Sequence, residues 1–460
     1  MSARRGSVVF VVVWAVAIAA VLVAATQVIA FRQAVIGRET LARVQARWAA
    51  RAGIEQMIAI MEFHLENPDP DDPLAVVRDM EEHAAGSLST GSWDIRHFLD
   101  GIEWAGPLDE GAKLNINSAT RAQLLNLPGM TPDVMDAIVD WRDENDQVEG
   151  LGAERDYYSN RSLGYRPRNG NFRSIAELEL VAGAWPSSVR GEDWNLNSRL
   201  DPNEDDGPRS APPDKPDGKL DGGWSQYLTA VSKQSRYSLA GQEKVALRGA
   251  SEEVLRERLG VNAEQARALI TFGTQANARP ESLLVTPLAQ LASGQQGQQG
   301  QQGQQAPRTG ARTGRSSAGT GQQGQTGQQV QDLSPAQLRA ALRELTGDDF
   351  TKPVPGRINI NTAPASLLKD VLDMDPRVAD AIVARRKAKP EGIASLADLA
   401  AMSGVNPQVL GQLASQFDVT SSVYTVTSRG RAASTGAEVE LEATVDRSEL
   451  PAQILSYREQ

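Results

Sequence analysis

The sequence contains no cysteine and only three histidines, His64, His83 and His97. Without thiols it can form no disulfide, no thiolate metal site and no cysteine nucleophile. The histidines are not spaced as metal ligands, so a zinc or Ser/His/Asp centre has almost nothing to be built from. A structural protein, and not an enzyme, is therefore expected. Positive charge is also short. The formal net charge is −11 and the pI is near 5.1, which leaves no overall basic surface for nucleic acid or anionic lipid. A length of 460 residues leaves room for two or three domains.

What the sequence does have begins at its amino end. Residues 7–31 carry no charge, start Ser-Val-Val-Phe-Val-Val-Val-Trp-Ala-Val and follow Arg4 and Arg5. That run is long enough to cross a bilayer as a helix and longer than the core of a cleaved secretory signal. Beyond it Phe31, Val35, Leu41, Val44, Trp48, Ile54, Met57, Ile58 and Met61 recur at helical spacing, with Arg and Glu between them. One long helix is expected, apolar for residues 7–31 and amphipathic for 32–66, ending near Asn67 at Asn-Pro-Asp-Pro-Asp-Asp-Pro. Arg32, Arg38, Arg43, Arg47 and Arg51 follow the span and outnumber the arginines before it, so charge alone argues for keeping that side inside the cell.

Short strands are expected over 93–99 and 101–104, and a β-hairpin over 424–432 and 437–445 about the turn Ala433-Ser-Thr-Gly436. Between them the chain reads as helical. Three segments align without gaps: Lys113-Leu-Asn-Ile-Asn-Ser-Ala to Arg142, Lys244-Val-Ala-Leu-Arg-Gly-Ala to Phe272, and Arg357-Ile-Asn-Ile-Asn-Thr-Ala to Arg386. Each predicts a capped helix, a sharp turn and a second apolar helix. Ser174-Ile-Ala-Glu-Leu and Ser395-Leu-Ala-Asp-Leu continue the first and third copies. The units resemble helix-hairpin-helix motifs. In nucleic-acid binders such turns hold a phosphate and add basic side chains. Here the turns carry acids, so protein packing is the preferred reading and DNA is not expected as a partner.

The amino end resembles that of type IV pilins and pseudopilins, in which a short basic leader ends in glycine. Arg4-Arg5-Gly6 followed by Ser7 fits such a leader. The family carries glutamate at the fifth mature position, where this chain has Val11. Absence of that glutamate, together with Val139-Asp-Trp-Arg-Asp-Glu-Asn-Asp146, Gly152-Ala-Glu-Arg-Asp-Tyr-Tyr158, Tyr165-Arg-Pro-Arg-Asn-Gly-Asn-Phe172 and Glu177-Leu-Glu-Leu-Val-Ala-Gly183, resembles the K component (GspK) family of type II secretion. The resemblance implies an α+β fold: a long transmembrane and amphipathic helix, and a pilin-like antiparallel sheet interrupted by helix-hairpin-helix-like (SAM-like) repeats. It also implies cleavage between Gly6 and Ser7 by prepilin peptidase. The chain would be a single-pass inner-membrane protein with its bulk in the periplasm. Its partners would be the I- and J-type minor pseudopilins and the major pseudopilin, with a role at the pseudopilus tip. The alternative is a membrane-tethered DNA receptor of the competence (ComEA-like) type, which shares the Ile-Asn-Ile-Asn and Leu-Pro-Gly wording.

The expected division is leader 1–6, transmembrane helix 7–31, amphipathic extension 32–66 and first β-segment 67–112. A helical domain with two hairpins follows over 113–293, then a Gln/Gly-rich linker over 294–329, the third hairpin over 330–418 and the terminal β-hairpin over 419–460. Asp193, Asn195, Asn197, Arg199 (through its carbonyl), Asp201 and Glu204 stand at positions 1, 3, 5, 7, 9 and 12 of an EF-hand-like loop, which makes calcium the candidate ligand. Position 6 is Ser198 where glycine is usual. Asp214 to Asp221 is a decayed relative of that loop; Asp143, Glu144, Asp146, Glu154 and Asp156 read as surface charge, with calcium binding there the alternative that the K-family resemblance implies.

Overall fold

The computed structural model describes residues 5–160, 164–210, 213–294, 330–402 and 404–459, with side chains from Val8 onward. Most of the expected leader and nearly all of the Gln/Gly tract lie outside these residues. Helix α1 spans Arg5–Glu66, and α2 spans Ala75–Glu82. Strands β1 (Ala85–Leu88), β2 (Gly91–Leu99), β3 (Ile102–Ala105) and β4 (Leu108–Asp109) follow.

The helical region contains three modules built to one plan. The first has β5 (Leu114–Asn115), α3 (Arg121–Leu125), α4 (Pro132–Arg142), α5 (Arg155–Ser159), α6 (Pro186–Arg190) and β6 (Leu228–Thr229). The second has β7 (Val245–Ala246), α7 (Glu252–Leu259), α8 (Ala263–Gly273), α9 (Leu288–Ala292), α10 (Pro335–Glu344) and β8 (Leu345–Thr346). The third has β9 (Ile358–Asn359), a π-helical turn at Leu367–Val371, α11 (Pro376–Lys387), α12 (Pro407–Gln416) and β10 (Phe417–Asp418). In each, two-residue parallel strands close the module: β5 on β6, β7 on β8, β9 on β10. The chain ends with β11 (Val423–Ala432), β12 (Glu438–Asp446) and β13 (Gln453–Glu459).

The main sheet is antiparallel in the order β1-β2-β11-β12-β13, with β3 on β2 and β4 on β11. The modules are therefore inserted between β4 and β11, and the sheet closes only across that insertion. Strand β13 extends the expected terminal hairpin to three strands. All seven of its residues are exposed, so burial left no alternating pattern in its sequence.

Helix α1 lies across this sheet. Its inner face is a stripe of small residues, Ala42, Ala46, Ala49 and Ala50, all 0% exposed. Leu41, Val44 and Trp48, expected on that face from their spacing, are instead 58%, 42% and 59% exposed. The helix rests so close to β11 that a Cβ on Gly430 would collide with the Ala46 carbonyl and the Ala50 amide. Only methyl groups fit there. Further along, Ile54, Met57, Ile60 and Met61 widen the gap and pack with Met80, Ile95, Tyr424, Val426 and Leu441.

The hairpins pair in an order the chain does not suggest. Modules one and three share a single core, in which Leu124, Ile138, Trp141 and Tyr158 join Ile360, Leu368, Ile382 and Leu413. The second module has its own core, and Ala341 and Leu345 belong to it, with Val330, Leu333 and Leu338 against it. Residues 330–346 are thus the end of module two and not the start of module three. The Gln/Gly tract interrupts a module between α9 and α10 instead of linking two.

The Asn-Ile-Asn wording has a physical cause. Asn361 Nδ2 donates to the carbonyls of Ile393 (3.0 Å) and Val419 (2.9 Å), and its Oδ1 accepts from Ile393 N (2.8 Å). Asn117 does the same with Phe172 and Ala230. Arg386 bridges the carbonyls of Ile360 and Ala363, and Arg142 those of Ile116 and Ala119. Module two has Arg248 at the asparagine position and Gly273 at the arginine position, and a Cβ on Gly273 would strike the Leu247 carbonyl. There the helix backbone closes directly on the strand and needs no bridge. Asn361→Ala should destabilise the protein by roughly 3 kcal/mol, because three buried backbone groups lose their partners, whereas Arg248→Ala should change little. Thermal unfolding of both variants checks this.

Candidate metal centre

The loop 193–204 is a strap between the first module and the sheet. Asp193 and Glu204 are 2% and 1% exposed. Asp193 accepts from the amides of Asn197 and Ser198, each at 3.0 Å. Glu204 accepts from those of Trp194 (2.9 Å) and Asp201 (3.1 Å). The side-chain oxygens of Asn195 and Asn197 accept from the Asn197 and Arg199 amides. Asp201 receives Asn195, Asn197 and the Arg429 guanidinium. Ser198 adopts φ +56, the left-handed conformation that position 6 demands.

The same loop grips the sheet. Asn197 donates to Glu440 (2.7 Å), Phe98 N donates to the Ser198 carbonyl (2.6 Å), and Arg199 pairs with Asp94 (3.2 Å). Burial pushes the Asp193 carboxyl up to about 6. Burial, helped by the charges of Asp193 and Asp201, pushes Glu204 up to about 7. All six expected ligand residues are thus brought together, but their side-chain oxygens are held by protein donors and Arg429 supplies the positive charge.

A second acidic group is arranged differently. Asp140 near the end of α4, Asp143 just beyond it and Glu154 just before α5 bring carboxylate oxygens within 4.8 Å of one another, the one such trio among the described residues. Asp140 is 0% and Glu154 3% exposed. The Glu154 residue read from sequence as surface charge is therefore buried, and both of its oxygens lack a hydrogen-bond partner. Burial pushes Glu154 up to about 7, and the charges of Asp140, Asp143 and Asp146 add to the shift. Asp140 is pushed up to about 6, chiefly by burial with Asp143, Glu149 and Asp136 contributing. The intervening loop folds back on α4 through Glu149 N to Asp140 (3.2 Å) and Leu151 N to Asp136 (2.9 Å). A Cβ on Gly152 would enter the Asp140 carboxylate, so Gly-Leu-Gly-Ala-Glu is the local wording that admits this closure. Asp140 in the last turn of α4 and Asp143 directly after it, three residues on, were the available sequence signal.

Gly129 in module one has φ +68, and Asp373 stands at the corresponding turn of module three with φ +50. Asp375 beside it is engaged by Arg377. At the amino end, Gly6 and Ser7 lie within α1, which is continuous through the apolar run; from Val8 this helix is long and apolar enough to cross a membrane.

Residues 108–191 match the family model for protein K of the type II secretion system (T2SS), and residues 356–418 match the helix-hairpin-helix motif. No curated protein matches the chain in sequence. Among solved structures, the GspK-GspI-GspJ complex from the type 2 secretion system of enterotoxigenic Escherichia coli is similar over 90% of this chain and 96% of that one. The identity is 12% and the TM-score 0.42.

Proposed function

We propose that this chain, a member of the protein K family of type II secretion systems by its residues 108–191, is a minor pseudopilin at the tip of a periplasmic pseudopilus. The observation that carries the reading is the placement of that match. It begins at β4 of a sheet packed on the long apolar helix and continues into the first inserted module. The helix would sit in the inner membrane, and the insertion would cap the assembly. Val11 supports the tip position, since a subunit with nothing above it need not offer a carboxylate to a neighbour's amino terminus. The partners would be the I- and J-type minor pseudopilins and the major pseudopilin. Copurification of these with the membrane-extracted chain tests the reading, and its failure in intact membranes would end it. Prepilin peptidase should cut between Gly6 and Ser7. Intact-mass measurement should find the mature chain beginning at Ser7, whereas a chain still starting at Met1 would count against the pseudopilin reading.

Calcium belongs to the same proposal. Asp140, Asp143 and Glu154 fit a hard cation with oxygen ligands: their carboxylates are crowded, Asp140 and Glu154 are buried, and both Glu154 oxygens lack a hydrogen-bond partner. They are the preferred ligand set. Asp193, Asn195, Asn197, Arg199, Asp201 and Glu204 are the second set, where an ion would first have to displace Arg429 from Asp201. When bound, the cation would neutralise the carboxylates and tie the loop after α4 to α5.

A further inference from the structure

Lys113, just before β5, is 7% exposed, and its ammonium group makes no hydrogen bond or ion pair among the described residues. A charge on a side chain this far withdrawn from water, with no protein partner, gains from a carboxylate that reaches it through the adjoining cleft. The side chain borders a cleft of 640 Å³ between the first module and the sheet face turned away from α1, partly lined by Ile175, Val354 and Leu455. The acids around the cleft are already taken. Glu110 holds the hydroxyls of Thr229 and Thr425, Glu442 holds Arg458, and Asp193, which feels the lysine charge, is bonded to backbone amides.

The internal repeat shows what such a position otherwise does. Arg357 occupies the same place in module three and pairs with Glu281 and Asp348 of the neighbouring module. Lys244 in module two is only half-buried. In module one the lysine borders the cleft instead.

We propose that this cleft is a docking site for a segment of another protein that carries one acidic side chain between apolar ones, its carboxylate meeting Lys113. The rim also carries Arg173, Lys233 and Arg458, of which Lys233 and Arg458 are already paired with Asp446 and Glu442, so a single carboxylate matches the charge that Lys113 leaves open. The apolar lining takes the flanking residues.

The test uses the full chain in detergent with the peptide acetyl-Leu-Val-Glu-Val-Leu-amide and a carbodiimide, which joins a carboxylate to an adjacent amine. Lys113 should be the preferred acceptor, roughly ten-fold over the exposed Lys219, a ratio that corresponds to about 1.4 kcal/mol of binding. The Glu→Gln peptide should give no adduct. Lys113→Met should raise the melting temperature, and the Glu peptide should no longer stabilise that variant. Adducts only on exposed lysines, or a Lys113–Asp193 crosslink formed without peptide, would overturn the proposal. So would a lower melting temperature for Lys113→Met, since the lysine would then be supporting the fold.

Discussion

Calcium at a hundred times its dissociation constant should stabilise the full-length protein by about 2.7 kcal/mol, and Glu154→Gln should abolish that gain. Differential scanning calorimetry of the detergent-solubilised chain reads it as a rise of several degrees in the transition of the helical region. Glu204→Gln should retain most of the shift, because that carboxylate is already closed by two amides.

The pH dependence gives a second readout. Glu154 and Asp140 have folded pKa values raised to about 7 and about 6 by burial and by neighbouring acids. A carboxyl raised on folding favours its protonated form in the native state. Its contribution is therefore present below the unfolded carboxyl pKa and is lost as pH rises through the folded value. Without calcium the helical region should lose stability between about pH 5 and 7. With calcium the carboxylates are held ionised, and the trend should reverse. An unchanged pH profile on adding calcium, or an equal calcium shift in Glu154→Gln, would sink the assignment.

The larger structural effect is expected at the contact between α1 and the sheet. Gly430→Ala places a methyl where the Ala46 carbonyl and Ala50 amide already stand. These are main-chain atoms of a rigid helix and cannot rotate aside, so the helix must lift from β11. A loss of about 3–5 kcal/mol is expected, above the usual range for a surface strand. Gly37→Ala is the matched control. It lies on the same helix with no atom within 4 Å of its Cβ, and removing a helical glycine should stabilise by about 1 kcal/mol. Urea or thermal unfolding of both variants separates the two outcomes. Tolerance of Gly430→Ala would show that the helix and sheet do not meet as closely as described.

Much of the fold was legible because it rests on local rules. The apolar run, the Pro-rich stop after it, the capping residue of α3 and the alternation of β11 and β12 are each decided within a few residues. The inner face of α1 was misread for a related reason. Hydrophobic periodicity weighs large side chains, yet this contact selects small ones, so Leu41, Val44 and Trp48 drew attention away from Ala42, Ala46 and Ala49. The buried Glu154 was misread because an acid in an acidic stretch looks solvated, and nothing local reports that α5 turns it back onto Asp140.

By itself the sequence determined the membrane-length helix, the β11–β12 hairpin and the repeat, since each depends on neighbours or on a fixed spacing along the chain. Only the tertiary structure decided that modules one and three share a core around module two, and that 330–346 closes the second module. It also decided which acids are stranded from solvent and that Lys113 faces a cleft. Those properties depend on contacts between residues far apart in the chain, where burial and charge are set by whatever surface happens to arrive. That partner surface leaves no mark on the residue's own neighbourhood in sequence.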